Sequence, residues 1–187
     1  MADITGTYEL GPGDGRVLVK TGREGLAARA GHDLTLEITR WSARLTVPDG
    51  EDGGVAAATL AAELDLGSLA VREGTGGARP LTDSDRRDIE STMRKILGAG
   101  AQAAATFRST RVIPSSVGGA IEGTLTLNGR SQPVRLQLTS PAQGRYRGTV
   151  TVVQSDFGIK PYSGFFGALK LRDEVVAEFE VDLSRAA

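Results

Sequence analysis

Few residues in this chain could carry out nucleophilic or acid–base chemistry. Its 187 residues include a single histidine, His32, and no cysteine. These counts exclude thiolate nucleophiles, Cys-ligated zinc, iron–sulfur clusters and any site that needs several histidines from this chain. A Ser-His-acid triad would have to use His32. The residue types therefore disfavour most familiar enzymes, and we assign no catalytic residue, no metal ligand and no cofactor.

Three short motifs resemble functional sites only superficially. His32 and Asp33 are adjacent, but successive side chains of a strand point to opposite faces, so they cannot form an oriented pair there. His32 is interpreted as a structural or ligand-contacting residue, with a catalytic base as the alternative. The acidic residues of 83–90 lack the spacing of a calcium loop and are interpreted as a solvated helix start. The glycines of 11–15 match no nucleotide-binding motif and are interpreted as turn residues.

Composition narrows the class of protein further. The chain has 22 Lys and Arg against 23 Asp and Glu, so its formal charge is -1 and nucleic-acid binding is not expected. No stretch of 18 apolar residues predicts a membrane span, and no basic segment precedes an apolar run at the N-terminus. We therefore expect a cytoplasmic protein. The length favours one domain over 1–187, and 25 glycines with 40% hydrophobic residues favour a turn-rich all-β fold.

Alternating apolar and polar residues predict antiparallel strands along most of the chain. Residues 34–38 and 41–47 are predicted as neighbouring strands, and Asn128-Gly129 predicts a tight hairpin between 121–127 and 134–138. Two more strands are predicted, at 146–152 and 175–183.

One segment follows a helical period instead. Apolar residues spaced as on one helix face predict a helix over 85–97, with a capping box at Thr82 and Asp85 and a stop at Gly98. Residues 71–80 are predicted as a flexible loop. Closing such a sheet removes its exposed edges, so the prediction is a closed antiparallel barrel of about eight strands with one amphipathic helix inserted mid-chain.

Two features raise the question of what the interior holds. Small residues are frequent on the apolar faces, including alanines near Leu60 and glycines 119, 123 and 148. They predict a ligand cavity, with tight helix packing or strand coiling as the alternative. Four of the eight Phe and Tyr residues fall within 157–166 among glycines and a proline. This loop is interpreted as a lid or mouth over an apolar ligand, as a docking surface, or as a plug of one barrel end.

The order of the motifs along the chain resembles the YceI-like polyisoprenoid-binding proteins. The resemblance covers nearly the whole chain and is carried by Leu97-Gly98, Ala105–Thr110, Gly123–Gly129, Pro133-Val134, Ser155–Ile159 and Asp173–Val175. It implies a lipocalin-like antiparallel barrel that holds a long isoprenoid or other lipid tail in its core.

The resemblance and the cavity together predict non-catalytic binding, transport or storage of an apolar long-chain lipid: a polyisoprenoid, fatty acid or fatty amide. The expected lining residues are Trp41, Phe107, Leu125, Leu127, Val150 and Val152, with Phe157, Phe165 and Phe166 at the mouth. Lys160, Lys170 and Arg172 flank the aromatic loop, as partners of a phosphate headgroup or as ordinary solvated charges. The alternatives are a protein-interaction module that uses 157–166, or an enzyme that acts on a lipid. A homodimer is a possible further form.

Overall fold

Antiparallel strands make up most of the computed structural model, which describes residues 4–50, 54–98 and 103–186. The strands are β1 (Gly6–Leu10), β2 (Gly15–Lys20), β3 (Arg23–Glu24), β4 (Asp33–Ile38), β5 (Trp41–Val47), β6 (Thr59–Asp65), β7 (Leu69–Thr75), β8 (Ala104–Ser115), β9 (Gly118–Leu127), β10 (Arg130–Ala142), β11 (Arg145–Val153), β12 (Ser163–Gly164), β13 (Leu169–Leu171) and β14 (Glu174–Asp182). Helix α1 spans Asp83–Ile96, between β7 and β8.

Eleven of the strands form one curled sheet in the order β1-β5-β6-β8-β9-β10-β11-β14-β2-β4-β7, and β12, β13 and β3 form a small second sheet. The prediction of a closed eight-stranded barrel is wrong in this form. The main sheet is a half-barrel of eleven strands, whose terminal strands β1 and β7 are not hydrogen-bonded to each other.

The number of strands is larger than predicted because three long stretches of chain are each divided into two strands. β1 continues into β2, β4 into β5 and β6 into β7, and in each case the two strands lie towards opposite ends of the sheet order. Residues 34–38 and 41–47 are therefore consecutive in the chain but not neighbours in the sheet, which corrects that prediction. β4 pairs with β2 and β7, whereas β5 pairs with β1 and β6.

Side chains join the two ends of the sheet where these stretches are interrupted. The backbone N–H of Arg40 donates to Ser68 Oγ at 2.9 Å, and Thr39 Oγ1 donates to the Ser68 carbonyl at 3.0 Å. The backbone N–H of Asp65 donates to the Arg40 carbonyl at 3.0 Å. We call Thr39–Arg40 and Asp65–Ser68 the seam. The hydrogen bonds of the seam hold the two ends of the curled sheet together around its interior, although no continuous ladder of strand pairs closes the sheet.

The structure confirms the predicted position of helix α1 and its capping residues. Thr82 and Asp85 form the reciprocal capping box, and Gly98 has the left-handed φ of 59° that ends such a helix. The apolar stripe of Ile89, Met93 and Ile96 packs against the core. The helix thus lies over the sheet interior, as its amphipathic pattern requires.

The same helix protects the edge strand β7. Glu90 Oε1 accepts the backbone N–H of Val71 at 2.9 Å, and Arg86 donates to the carbonyls of Val71 and Arg72 at 3.0 and 2.8 Å. These contacts occupy backbone groups that an exposed edge would offer to another chain. β7 also extends to Thr75, so residues 71–75 are strand and not the predicted flexible loop.

The hairpin at Asn128-Gly129 is confirmed. Both residues have positive φ, 52° and 71°, which is the backbone conformation of a type I′ turn. β9 and β10 pair in register from Leu127 with Arg130 to Gly118 with Thr139.

Candidate functional site

The interior of the curled sheet contains a cavity of about 930 Å³. Its wall is formed by inward-facing residues of the main sheet and by the apolar stripe of α1. Most of the lining side chains are aliphatic or aromatic. Representative members from successive strands are Leu10, Val19, Leu36, Leu45, Leu64, Phe107, Leu125, Leu136, Val150 and Val175.

Several of these interior side chains are not fully packed. Val19, Ala43, Leu45, Leu64 and Val150 line the cavity and are only half-buried, although they face the interior. In a close-packed core, such side chains are surrounded by other atoms and border no void larger than a water molecule. Their remaining apolar surface faces the cavity and is available to a ligand.

The cavity opens at one end of the sheet. The exposed residues that line it are Ala30, Ala78, Arg79, Asp88 and Tyr162. All five lie in α1 or in loops near it and near the small sheet. Towards the opposite end, Val47 and Ala58 are buried and Ile4 and Val55 are half-buried. We call the five exposed residues the mouth.

An ion pair fixes one side of the mouth. The Arg79 guanidinium donates two hydrogen bonds to the Asp85 carboxylate, at 2.8 and 3.0 Å. The hydrogen bond from Arg79, followed by those from the Thr82 backbone and hydroxyl, holds the pKa of Asp85 well below its usual range. Asp85 therefore anchors both the start of α1 and the loop that carries Arg79.

His32 lines the cavity beside this ion pair. Its Nε2 lies 2.7 Å from the Arg79 carbonyl oxygen, and Gly77 lies so close that a β-carbon there would overlap the imidazole ring. The neighbouring Asp33 carboxylate instead accepts the backbone N–H of Arg23 at 2.9 Å. His32 and Asp33 therefore bond to different parts of the chain, and the imidazole holds the loop of residues 76–82 in place.

Tyr146 is one of the polar residues on the mainly apolar wall. Burial raises the pKa of its phenol, and the neighbouring Tyr8 adds to that shift. An ionised phenolate is therefore disfavoured in the cavity. A neutral phenol at Tyr146 leaves this part of the wall uncharged.

All six residues predicted to line the interior do lie on the cavity wall: Trp41, Phe107, Leu125, Leu127, Val150 and Val152. Their contact with a ligand stays a prediction. The alternation of side chains along each strand is enough to place these residues, because all six side chains point to the concave face of the sheet.

The three residues predicted at the mouth are placed elsewhere. Phe157 is 2% exposed and belongs to the core, where its carbonyl accepts a hydrogen bond from the Asn128 amide at 3.0 Å. Phe165 and Phe166 are 64% and 113% exposed and are not among the residues that line the cavity. Tyr162 is the aromatic residue at the mouth. Lys160, Lys170 and Arg172 are exposed and do not line the cavity either.

Two of the strand glycines make room for aromatic rings and not for a ligand. A β-carbon at Gly148 would overlap the Phe179 ring, and one at Gly123 would overlap the Phe107 ring. Both rings line the cavity, so these glycines determine where its wall lies. The alanines are different, because Ala43, Ala62 and Ala177 themselves line the cavity.

Sequence reasoning missed the residues that the turns and the helix bring to the cavity. Two of them, Arg79 and Asp88 at the mouth, carry no periodic signal. Tyr162 was within reach, because it belongs to the aromatic loop 157–166, for which a mouth is one interpretation. The helical period could have identified Thr92 and Met93 as lining residues, since Met93 lies on the predicted apolar stripe and Thr92 lies beside it.

The described residues contain no group of three or more His, Asp or Glu side chains placed to hold a metal ion. Within the same ranges, no helix is both long and apolar enough to cross a membrane.

Comparison with known proteins identifies the fold and the family. The structure is similar to the crystal structure of BcnA from Burkholderia cenocepacia, with a TM-score of 0.58 and 16% identity over 88% of this chain and 94% of BcnA. It is also similar to the YCEI protein of Campylobacter jejuni, with a TM-score of 0.46 and 14% identity over 66% of this chain and 70% of that protein. The search of curated proteins gave no match. The YceI-like domain model matches residues 19–183, and the chain therefore belongs to the YceI-like family.

Proposed function

We propose that the protein binds an apolar long-chain lipid inside the curled sheet and carries or stores it without chemical conversion. The ligand is a polyisoprenoid, a fatty acid or a fatty amide. The observation that carries the proposal is the cavity of about 930 Å³ with an almost wholly apolar wall and a mouth at one end. Ligand pockets usually fall between about 300 and 1,000 Å³, so this cavity is large for a small molecule and suits an extended tail.

The energy of binding comes from the length of the tail. Each CH₂ moved from water to the interior contributes about 0.8 kcal/mol, so ten of them contribute about 8 kcal/mol before the cost of association. That cost is roughly 4–15 kcal/mol. Short chains therefore bind weakly, and affinity rises with tail length until the cavity is full.

The geometry around His32 disfavours a Ser-His-acid triad that uses Asp33. The Nε2 of His32 is engaged by the Arg79 carbonyl, and Asp33 is engaged by Arg23. In a triad a carboxylate orients the imidazole ring, and Asp33 is bonded to Arg23 and not to His32.

The second candidate function is a protein-interaction module that uses 157–166. It is supported by the exposure of Phe165 and Phe166, since large exposed aromatic side chains mark interaction surfaces. The burial of Phe157 restricts that surface to the second half of the loop.

Native mass spectrometry of the purified protein tests the lipid proposal, followed by organic extraction and identification of any lipid. We expect additional mass that is lost on denaturation and extracts as a lipid. The delipidated protein is then titrated with fatty acids and amides of increasing chain length, and affinity should rise with each added carbon pair. A protein of bare mass that takes up none of these, and no isoprenoid, would refute the proposal. A cytoplasmic location and a homodimer stay predictions that cell fractionation and sedimentation can check.

A further inference from the structure

The small second sheet forms a projection next to the mouth of the cavity. We define the tip as residues 22–31 and 160–172, which contain β3, β12 and β13. Its two segments are joined by pairing of β3 with β13 and by backbone hydrogen bonds from Ala27 to Ala168 at 2.9 Å and from Arg172 to Gly22 at 2.8 Å. The tip is therefore a built element of the fold.

The tip carries most of the exposed large hydrophobic side chains among the described residues. Leu26 is 101% exposed, Phe165 64%, Phe166 113% and Tyr162 37%, and the fifth such residue, Val117, lies in a separate hairpin turn. Scattered exposed hydrophobics are ordinary, but several on one element mark a surface that contacts something apolar.

The backbone holds both phenylalanines in an unfavourable conformation. Phe165 and Phe166 have φ values of 49° and 53°, in the left-handed region that bulky residues rarely adopt. Glycine would satisfy this turn at lower energetic cost. The stability of the fold therefore does not explain why two exposed aromatic residues stand here.

The charge of the tip differs from that of the rest of the chain. The tip contains five basic residues, Arg23, Arg29, Lys160, Lys170 and Arg172, and one acidic residue, Glu24. The Arg23 side chain is only 18% exposed and is paired with Asp33, so the exposed residues of the tip carry a net charge of +3. The whole chain has a net charge of -1. A cationic surface with protruding aromatic and aliphatic side chains is complementary to an anionic membrane surface, where rings enter the interface and cations meet the headgroups.

The position of the tip links this surface to the cavity. Ala30 and Tyr162 belong to the tip and also to the mouth. We propose that the tip docks on an anionic lipid bilayer, with Leu26, Phe165 and Phe166 inserted into the interface. The mouth then lies next to the bilayer, so a lipid tail can pass between membrane and cavity with little exposure to water. This role in lipid exchange rests on the proposed function, whereas docking itself can be measured separately.

Vesicle flotation tests the docking. The full-length protein is mixed with vesicles of phosphatidylcholine alone or of equal parts phosphatidylcholine and phosphatidylglycerol. We expect binding to the anionic vesicles only. Binding should be lost as salt rises from about 0.01 to about 1 M, because the Debye length falls from about 30 to about 3 Å.

The variants separate the apolar from the charged contribution. Phe165→Ser with Phe166→Ser should weaken vesicle binding about tenfold or more, since two rings no longer leave water. Lys160→Gln with Lys170→Gln should weaken it by roughly fivefold per charge. Val117→Ser removes an exposed apolar side chain outside the tip and should change nothing. If the serine variant folds poorly, Phe165→Gly with Phe166→Gly replaces it, because glycine accepts both φ values.

The outcomes are distinct. Absent or salt-independent vesicle binding, equal binding to both vesicle types, or unchanged binding of the phenylalanine variants would overturn the proposal. A shift from dimer to monomer in the phenylalanine variant would also overturn it and assign the tip to contacts between copies. Lipid uptake by protein that does not bind vesicles would refute docking alone. Vesicle binding by protein that takes up no lipid would refute the cavity proposal alone.

Discussion

Replacing one cavity-lining alanine tests whether the interior is open space. Ala62 on β6 lines the cavity and packs near Phe107, whereas its neighbour Ala61 pairs with the exposed residues Arg44 and Arg108. Because side chains alternate along a strand, Ala62→Leu adds volume inside and Ala61→Leu adds it outside. The two variants form a matched pair that differs only in the face of the sheet.

An open interior and a packed interior predict changes of opposite sign in the stability of Ala62→Leu. Leucine adds three carbon atoms to alanine, and burying them in a free cavity stabilises the fold by about 2 kcal/mol at 0.8 kcal/mol per group. For a domain of this size that raises Tm by roughly 4–8 °C. In a packed interior the same change costs about 1–3 kcal/mol through overpacking. Ala61→Leu should stay within about 0.5 kcal/mol of the parent protein.

The measurement is urea unfolding of delipidated protein, with affinity for a long fatty amide determined in parallel. We expect Ala62→Leu to raise the midpoint without changing the m-value, and to weaken binding of the longest tails because it occupies their space. A destabilised Ala62→Leu beside a neutral Ala61→Leu would show that the interior is packed, and would remove the main support for lipid binding.

Three further predictions concern the frame around the cavity. Gly148→Ala should destabilise the protein by about 1–3 kcal/mol in urea unfolding, because the Phe179 ring occupies the space of the new methyl group; equal stability would mean that this ring moves freely. Glu90→Ala should leave the buried N–H of Val71 without its acceptor and cost about 1–3 kcal/mol, with faster hydrogen exchange at that amide, while Glu90→Gln keeps an acceptor and should be milder. The lowered pKa of Asp85 means that its ion pair and cap stabilise the fold above the usual carboxyl pKa and are lost as pH falls below it. Asp85→Asn should therefore be less stable than the parent at neutral pH and converge with it in acid, and parallel pH profiles would contradict this.

Local rules were sufficient for the elements that depend on near neighbours in the chain. The Asn128-Gly129 turn, the capping box at Thr82 and the apolar stripe of α1 follow from residues a few positions apart, and the structure confirms each of them. The six interior residues follow from alternation along single strands.

Features that depend on the course of the whole chain could not be predicted in the same way. The sequence shows that 34–38 and 41–47 are strands, but not that the chain crosses the seam between them. Phe157 and Phe166 occupy the same loop and have the same apolar character, yet one is in the core and the other is exposed. Their different burial depends on the backbone conformation of the turn between them, which cannot be read from the spacing of apolar residues.

The pairing of β2 with β14 has a consequence for how the protein is made. The strand that completes the pairing of β2 is β14, Glu174–Asp182, which is synthesised about 150 residues after β2. At roughly 5–20 residues per second, β2 waits roughly 8–30 s on the ribosome with one edge unpaired. A ladder that spans nearly the whole chain also gives a high contact order and slow folding. We therefore expect the nascent chain to depend on protection of that edge, and the pairing of β14 with β2 to be the event that encloses the interior.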